Sequence, residues 1–241
     1  MTQLTFDLTP KWKSQHGLIL SSSAVAAAED YFRTILTEIV NVCEYCAQRV
    51  EPLETRMEFV FSGSVAEAVR GLLDTSSLSS KENVTGWAKK IAGTAFKDSR
   101  SLLRLLDEFE RICHIRHAAM HAGGQVSTRN ARVLKVPPNT WISFGSPQAI
   151  YDITSVIVAT LRSFNQTLFE NILREWLDQN HMSGSWSDDA SSFTALWELF
   201  KSTGDIESNR TTGDKSLNPN AYQAYRSIRS SVAARRAAGA T

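Results

Sequence analysis

Between Arg116 and Gly124 the chain reads RHAAMHAGG, which crowds one arginine, two histidines and a glycine pair into a short run. Histidine exchanges protons near neutral pH and ligates metals, and arginine is a permanent cation with a fork geometry suited to oxyanions. Such a run can be the polar end of a core helix, a metal site or the working part of a nuclease. Its placement on a helix narrows the choice. At about 100° per residue, Leu102, Leu106, Phe109, Cys113 and Met120 gather on one side, and Leu105 and Ile112 widen that stripe. Arg104, Glu108, Arg111 and Ile115 fall opposite. Arg116 points between Phe109 and Ile112, into the apolar face. A guanidinium there must pair with a carboxylate on another helix or reach a polar cleft, because an uncompensated buried charge costs several kcal/mol.

The same arithmetic puts Glu110, His114, His117 and His121 within an arc of about 60°. Histidines four apart are the usual helical pair for zinc, so a metal site on this stripe is one alternative. The hydrated margin of an ordinary helix is another. One helix alone rarely offers more than two ligands to a tetrahedral ion.

The elements that position these residues are helical throughout. Residues 1–20 read as an irregular leader broken at Pro10. From Ser21, the residues Val25, Ala28, Phe32, Ile35, Ile39, Val42, Cys46 and Val50 recur at helical steps; Ser21 to Ser23 are candidate caps and Pro52 a stop. Ser64-Val65-Ala66-Glu67 has capping-box spacing and opens a helix to about Asp74. A further helix carries Val84, Trp87, Ile91 and Phe96. Asp98 or Ser99 caps the helix that bears the opening run, and Gly123-Gly124 stop it. Residues 125–145 look irregular, with an extended piece at 141–144. Ser146-Pro147 starts a long helix through Ile153, Ile157, Leu161, Phe164, Leu168 and Ile172 to about Gln179. Residues 181–241 are Ser-, Gly-, Asn- and Thr-rich around a short apolar helix, FTALWELF, and end in a basic segment. The expected fold is all-α: an up-and-down bundle of about five main helices over residues 21–180, with a less ordered C-terminal extension.

Composition excludes several classes. The chain has 241 residues, is 42% hydrophobic and carries a formal net charge of +1, so nucleic-acid contact must come from local clustering of basic residues. Cys43, Cys46 and Cys113 are too few and too odd for a secreted disulfide scaffold. The Cys43–Cys46 pair has no second CxxC to complete a zinc site and reads as core. No signal peptide and no long apolar span are evident, which makes a cytoplasmic protein the default expectation.

Arg116, four intervening residues and His121 form R-x4-H, with a polar residue after the arginine and small residues after the histidine. The string HIRHAAMHAGGQVS, at a helix end and followed by a second long helix, resembles the signature of the HEPN superfamily over roughly residues 61–178. The resemblance implies a small helical bundle, in many members a metal-independent endoribonuclease that acts as a homodimer. It casts His121 as general acid/base, Arg116 as stabiliser of the phosphate charge and His117 as a substrate-binding residue. RNA is then the partner and no cofactor is needed. Gly123 stands where HEPN toxins silenced by a nucleotidyltransferase carry tyrosine, which puts that mode of control in doubt. A toxin or phage-defence effector governed by a separate antitoxin or sensor fits, as does an inactive HEPN-like dimeric module that only binds RNA or protein. On a straight helix, positions five apart diverge by about 140°. A site using both Arg116 and His121 therefore needs a deformed helix or a second subunit. The basic end, with Arg226, Arg229, Arg235 and Arg236, is a candidate RNA track, and Tyr222 and Tyr225 are candidate stacking surfaces.

Overall fold

The computed structural model describes residues 11–50, 64–94, 96–121, 124–142, 146–202 and 219–229, with only the backbone for 11–15. Eight helices follow in order: α1 (Lys11–Val42), α2 (Glu44–Val50), α3 (Val65–Asp74), α4 (Lys81–Ala92), α5 (Arg100–His121), α6 (Thr128–Leu134), α7 (Pro147–Asp178) and α8 (Trp186–Phe200). Residues 221–229 form one more helical stretch. Among the described residues the sole β pairing is one isolated bridge, Gln125 to Trp141. The architecture is an all-helical bundle.

Three long helices, α1, α5 and α7, make the core, because each presents an apolar stripe at helical spacing. Phe32 of α1 sits edge-on to Phe109 of α5, with ring centroids 5.6 Å apart. It meets Phe164 of α7 in the same way at 4.9 Å. Val25, Ala28, Leu36, Ile39, Leu102, Leu106, Leu168 and Ile172 close around these rings with no exposed surface. Cross-links give the directions. Tyr31 Oη donates to Asn165 Oδ1 at 2.6 Å and Trp176 Nε1 donates to Cys43 Sγ at 3.2 Å, so α1 and α7 run parallel. Thr160 Oγ1 reaches the Leu105 carbonyl at 3.3 Å, and Phe164 packs on Phe96 ahead of α5, so α5 runs against both. The start of α1, the end of α5 and the start of α7 therefore share one end of the bundle.

Shorter helices cover this core. On α3 Ser64 is the N-cap that its sequence predicts, the Glu67 N–H donating to Ser64 Oγ at 3.2 Å. Arg70 ties α3 to α1 through Asp30 at 3.1 Å. α4 ends at Gly93, whose φ of 76° is left-handed; a Cβ there would lie 2.5 Å from Tyr45 Oη. Cys43, Cys46 and Cys113 are all buried and free, as core cysteines.

Several elements differ from the sequence expectation, which had one helix where α1 and α2 meet at Cys43 and a shorter helix at α8. α1 begins at Lys11, immediately after Pro10 and ten residues before the expected start, so Ser21 to Ser23 lie inside the helix and do not cap it. The stretch 125–145 is not wholly irregular: Ser127 caps α6, accepting the Asn130 N–H, and α6 packs on α5. Residues 143–145, part of the expected extended piece, lie outside the described residues, as do Gly123 and Pro52.

At the C-terminal side, α8 packs on α1 and α7, with Phe169 meeting Phe193, Trp197 and Phe200. The 221–229 stretch is docked on α8. Tyr225 is wholly buried against Trp186 and Phe193 and donates to Asp189 Oδ2 at 2.5 Å. A buried ring offers no face to a base, so Tyr225 is not a stacking surface; Tyr222 remains partly exposed beside Trp186. Arg235 and Arg236 lie outside the described residues.

Candidate functional site

α5 positions the run. Its core stripe, Leu102, Leu106 and Phe109, is fully buried and fixes the helix rotation. The helix is unbroken through His121, so Arg116 and His121 leave it in different directions. The Gly124 N–H closes the end by returning to the Ala118 carbonyl at 3.2 Å. Gly124 has φ 97°, and a Cβ there would meet the Ile142 carbonyl oxygen at 3.1 Å. A glycine is required at this crossing.

Arg116 is half-buried, and its Nε is closed off from solvent without a hydrogen-bond partner. Among the described residues no carboxylate lies within ion-pair distance of its guanidinium. The salt-bridge account of this arginine thus lacks its partner. An unmet buried N–H costs about 1–3 kcal/mol. Its charge is felt locally: Arg116 opposes the rise that burial gives the Cys113 thiol pKa.

His117 and His121 are both exposed, with ring centroids 4.7 Å apart and planes at 45°. Desolvation first, then the nearby His121, His114, Arg116 and Arg129, hold the His117 pKa below its ordinary value of 6.5. His117 is accordingly set up as a neutral imidazole at neutral pH, able to donate from one nitrogen and accept at the other.

The rest of the histidine stripe has a different task. His114 Nδ1 and Asn130 Oδ1 are 2.9 Å apart, and His114 Nε2 lies 3.9 Å from Glu110 Oε1. Glu110 Oε2 in turn accepts the Lys81 backbone N–H at 3.1 Å, at the start of α4. Glu110 and His114 therefore stitch α4, α5 and α6 together. Among the described residues no group of three or more His, Cys, Asp or Glu is placed to hold a metal ion. The four-residue stripe is thus divided into a structural half, Glu110 and His114, and an open half, His117 and His121.

Three features of this region escaped the sequence reading. Asn130 anchors His114, Arg129 adds positive charge at His117, and Ile115 is buried at 7% exposure although the wheel put it with the charged residues. The first two follow from α6 packing on α5. The available signals were Ser127 as a cap three residues before Asn130 and the complete absence of Asp and Glu between Glu110 and Asp152. Conversely Met120, placed on the core stripe, is 51% exposed, because it lies in the last turn of α5.

Comparison of the chain with family models, curated proteins and solved structures gives no match. Among the described residues no helix is long and apolar enough to cross a membrane.

Proposed function

We propose that this chain is a HEPN-like endoribonuclease that cleaves RNA without a metal, leaving a 2′,3′-cyclic phosphate and a free 5′-hydroxyl. The observation that carries the proposal is Arg116: a half-buried arginine with an unmet Nε–H and no carboxylate partner, one residue from a pair of exposed histidines. The half-exposed guanidinium, with no carboxylate within ion-pair distance among the described residues, is a charge that an anionic ligand can meet. A phosphate oxygen fits, since arginine offers several donors in a fixed fork and keeps its charge.

In the proposed reaction a histidine base takes the proton of the 2′-OH, and that oxygen attacks the adjacent phosphorus. The bond from phosphorus to the 5′-oxygen breaks, and the leaving oxygen receives a proton from a histidinium. His121 performs the proton transfers, and Arg116 stabilises the charge that accumulates on the phosphoryl oxygens. His117 binds and orients the substrate through its neutral ring. Because α5 stays straight to His121, the pair is completed across two copies of the chain. The end of the bundle bearing α5's last turn also exposes Met120, and the early turns of α1 expose Ile19 and Leu20. Exposed apolar side chains at that end favour a homodimer packed there. A toxin or defence effector held in check by an antitoxin or sensor is the biological setting that suits such an activity.

The test is incubation with total RNA in EDTA, with products assayed for cyclic phosphate. Wild type should cut, and His121→Ala and Arg116→Ala should not. Loss of cutting in EDTA, or undiminished cutting by His121→Ala, overturns the mechanism. Light scattering that finds only monomer in the presence of RNA overturns the shared site.

A further inference from the structure

The surface beside the histidine pair has its own chemistry. Between Glu110 and Asp152 the chain has no acidic residue but carries Arg111, Arg116, Arg129, Arg132 and Lys135, in a protein whose net charge is only +1. The last three lie on or just past α6, exposed, and Arg129 is close enough to His117 to depress its pKa. The His114–Asn130 contact locks α6 onto α5 at the level of the site, so these cations have a fixed position relative to the histidines. Of the carboxylates in this region, Glu110 is already engaged by the Lys81 N–H and His114, and Glu29 of α1 acts on Cys113 alongside Arg116.

Trp141 belongs to the segment that follows α6 and returns to the end of α5. The Gln125–Trp141 bridge brings it beside the end of α5, where its ring lies 3.6 Å from the position of a Cβ on Gly124, three residues past His121. The bridge is firm: Ile142 N donates to the Gly124 carbonyl at 2.8 Å, and Val126 N to Thr140 at 2.9 Å. Yet Trp141 is 67% exposed. Tryptophan is rarely left so open, since it carries a large apolar surface. An open aromatic held by backbone hydrogen bonds at the end of α5, in the same segment as a set of exposed cations, is the combination that binds unpaired nucleotides. Cations follow the phosphates and the ring stacks on a base.

We infer that α6 and Trp141 form the substrate track of the site: Arg129, Arg132 and Lys135 hold the backbone of a single-stranded RNA, and Trp141 stacks on an unpaired base beside the histidine pair. This deepens the ribonuclease proposal and rests on it for the identity of the strand. A duplex keeps its bases stacked inside, so the track selects single-stranded segments.

The experiment measures binding separately from cleavage. A short 2′-O-methyl oligouridine lacks the free 2′-OH and cannot be cut, so its affinity for the full chain can be read by fluorescence anisotropy at several salt concentrations. Trp141→Ala should weaken binding roughly 5- to 100-fold, and Trp141→Phe should recover most of it. The triple variant Arg129→Gln, Arg132→Gln, Lys135→Gln should lower the slope of log affinity against log salt by about 2, at about 0.7 per lost phosphate contact. A duplex of the same chemistry should bind more weakly and respond little to Trp141→Ala. The track is overturned if Trp141→Ala binds like wild type, if the triple variant leaves the salt slope unchanged, or if Trp141→Ala turns a dimer into a monomer, which would assign the indole to a protein interface. If His121→Ala still cuts RNA while the Trp141 and triple-variant binding results hold, the catalytic assignment falls and the track stands.

Discussion

Replacing Arg116 by methionine separates a functional arginine from a structural one, because the two predict opposite signs for stability. Arg116 holds a buried Nε with no partner, and no carboxylate within ion-pair distance has been found for it among the described residues. Methionine fills the same unbranched space without a donor. The variant removes an unmet group worth about 1–3 kcal/mol. It also forfeits whatever solvation the half-exposed guanidinium retains, so the expected net gain is about 1 kcal/mol. In a domain of this size that raises Tm by about 2–4 °C. The cleavage rate should fall at the same time by about 10²–10³, the usual cost of losing one preorganised donor to developing charge. Arg116→Lys should keep the charge but lose the fork, and so retain only part of the activity. Urea unfolding monitored by circular dichroism gives the stability difference, provided the slope against urea matches wild type. Cyclic-phosphate formation gives the rate. A structural ion pair would instead cost about 3–5 kcal/mol on losing one partner. A destabilisation of that size, or full activity in the methionine variant, refutes the reasoning.

Further outcomes follow from the geometry around the site and at the far end of the chain. Gly124→Ala forces a side chain into φ 97° and within 3.1 Å of the Ile142 carbonyl; it should lower stability by about 1–3 kcal/mol in thermal unfolding. His117 should titrate below 6.5 in proton NMR, since desolvation and neighbouring cations disfavour its charged form. Arg129→Gln should move that midpoint upward, and an unmoved midpoint would place Arg129 away from the ring. Burial acts to raise the Asp189 pKa, but donation from Tyr225 and from the Ser183 and Gly184 N–H groups outweighs it and leaves the pKa depressed. A depressed carboxyl stabilises the fold above its unfolded pKa, near 3.8, and that contribution is lost as pH falls through the folded value. The docked 221–229 stretch should therefore loosen in acid, seen as a change in Trp186 fluorescence, and Asp189→Asn should loosen it already at neutral pH.

How much of this was legible in the sequence depends on the number of turns that carried each signal. The stripes of α1, α5 and α7 repeat over several turns, and apart from Ile115 and Met120 on α5 the core residues fall where the 3.6-residue period puts them. α6 has only seven residues, too few for a period to emerge, yet it decides the chemistry of the site. By packing on α5 it ties down His114 through Asn130 and brings Arg129 to His117. Ser21 to Ser23 misled for a related reason. Three serines resemble a cap, but Ser21 is 1% exposed within a helix whose packing overrides the local preference. The anomaly of Arg116, by contrast, was fully visible: a cation on an apolar stripe contradicts its surroundings whatever lies opposite. Local conflict of that kind marks a functional position more reliably than a pattern that agrees with its fold, since agreement is what packing alone would produce. The histidine stripe illustrates the difference. Its four members look equivalent on a wheel, yet Glu110 and His114 are engaged by neighbouring helices while His117 and His121 are exposed.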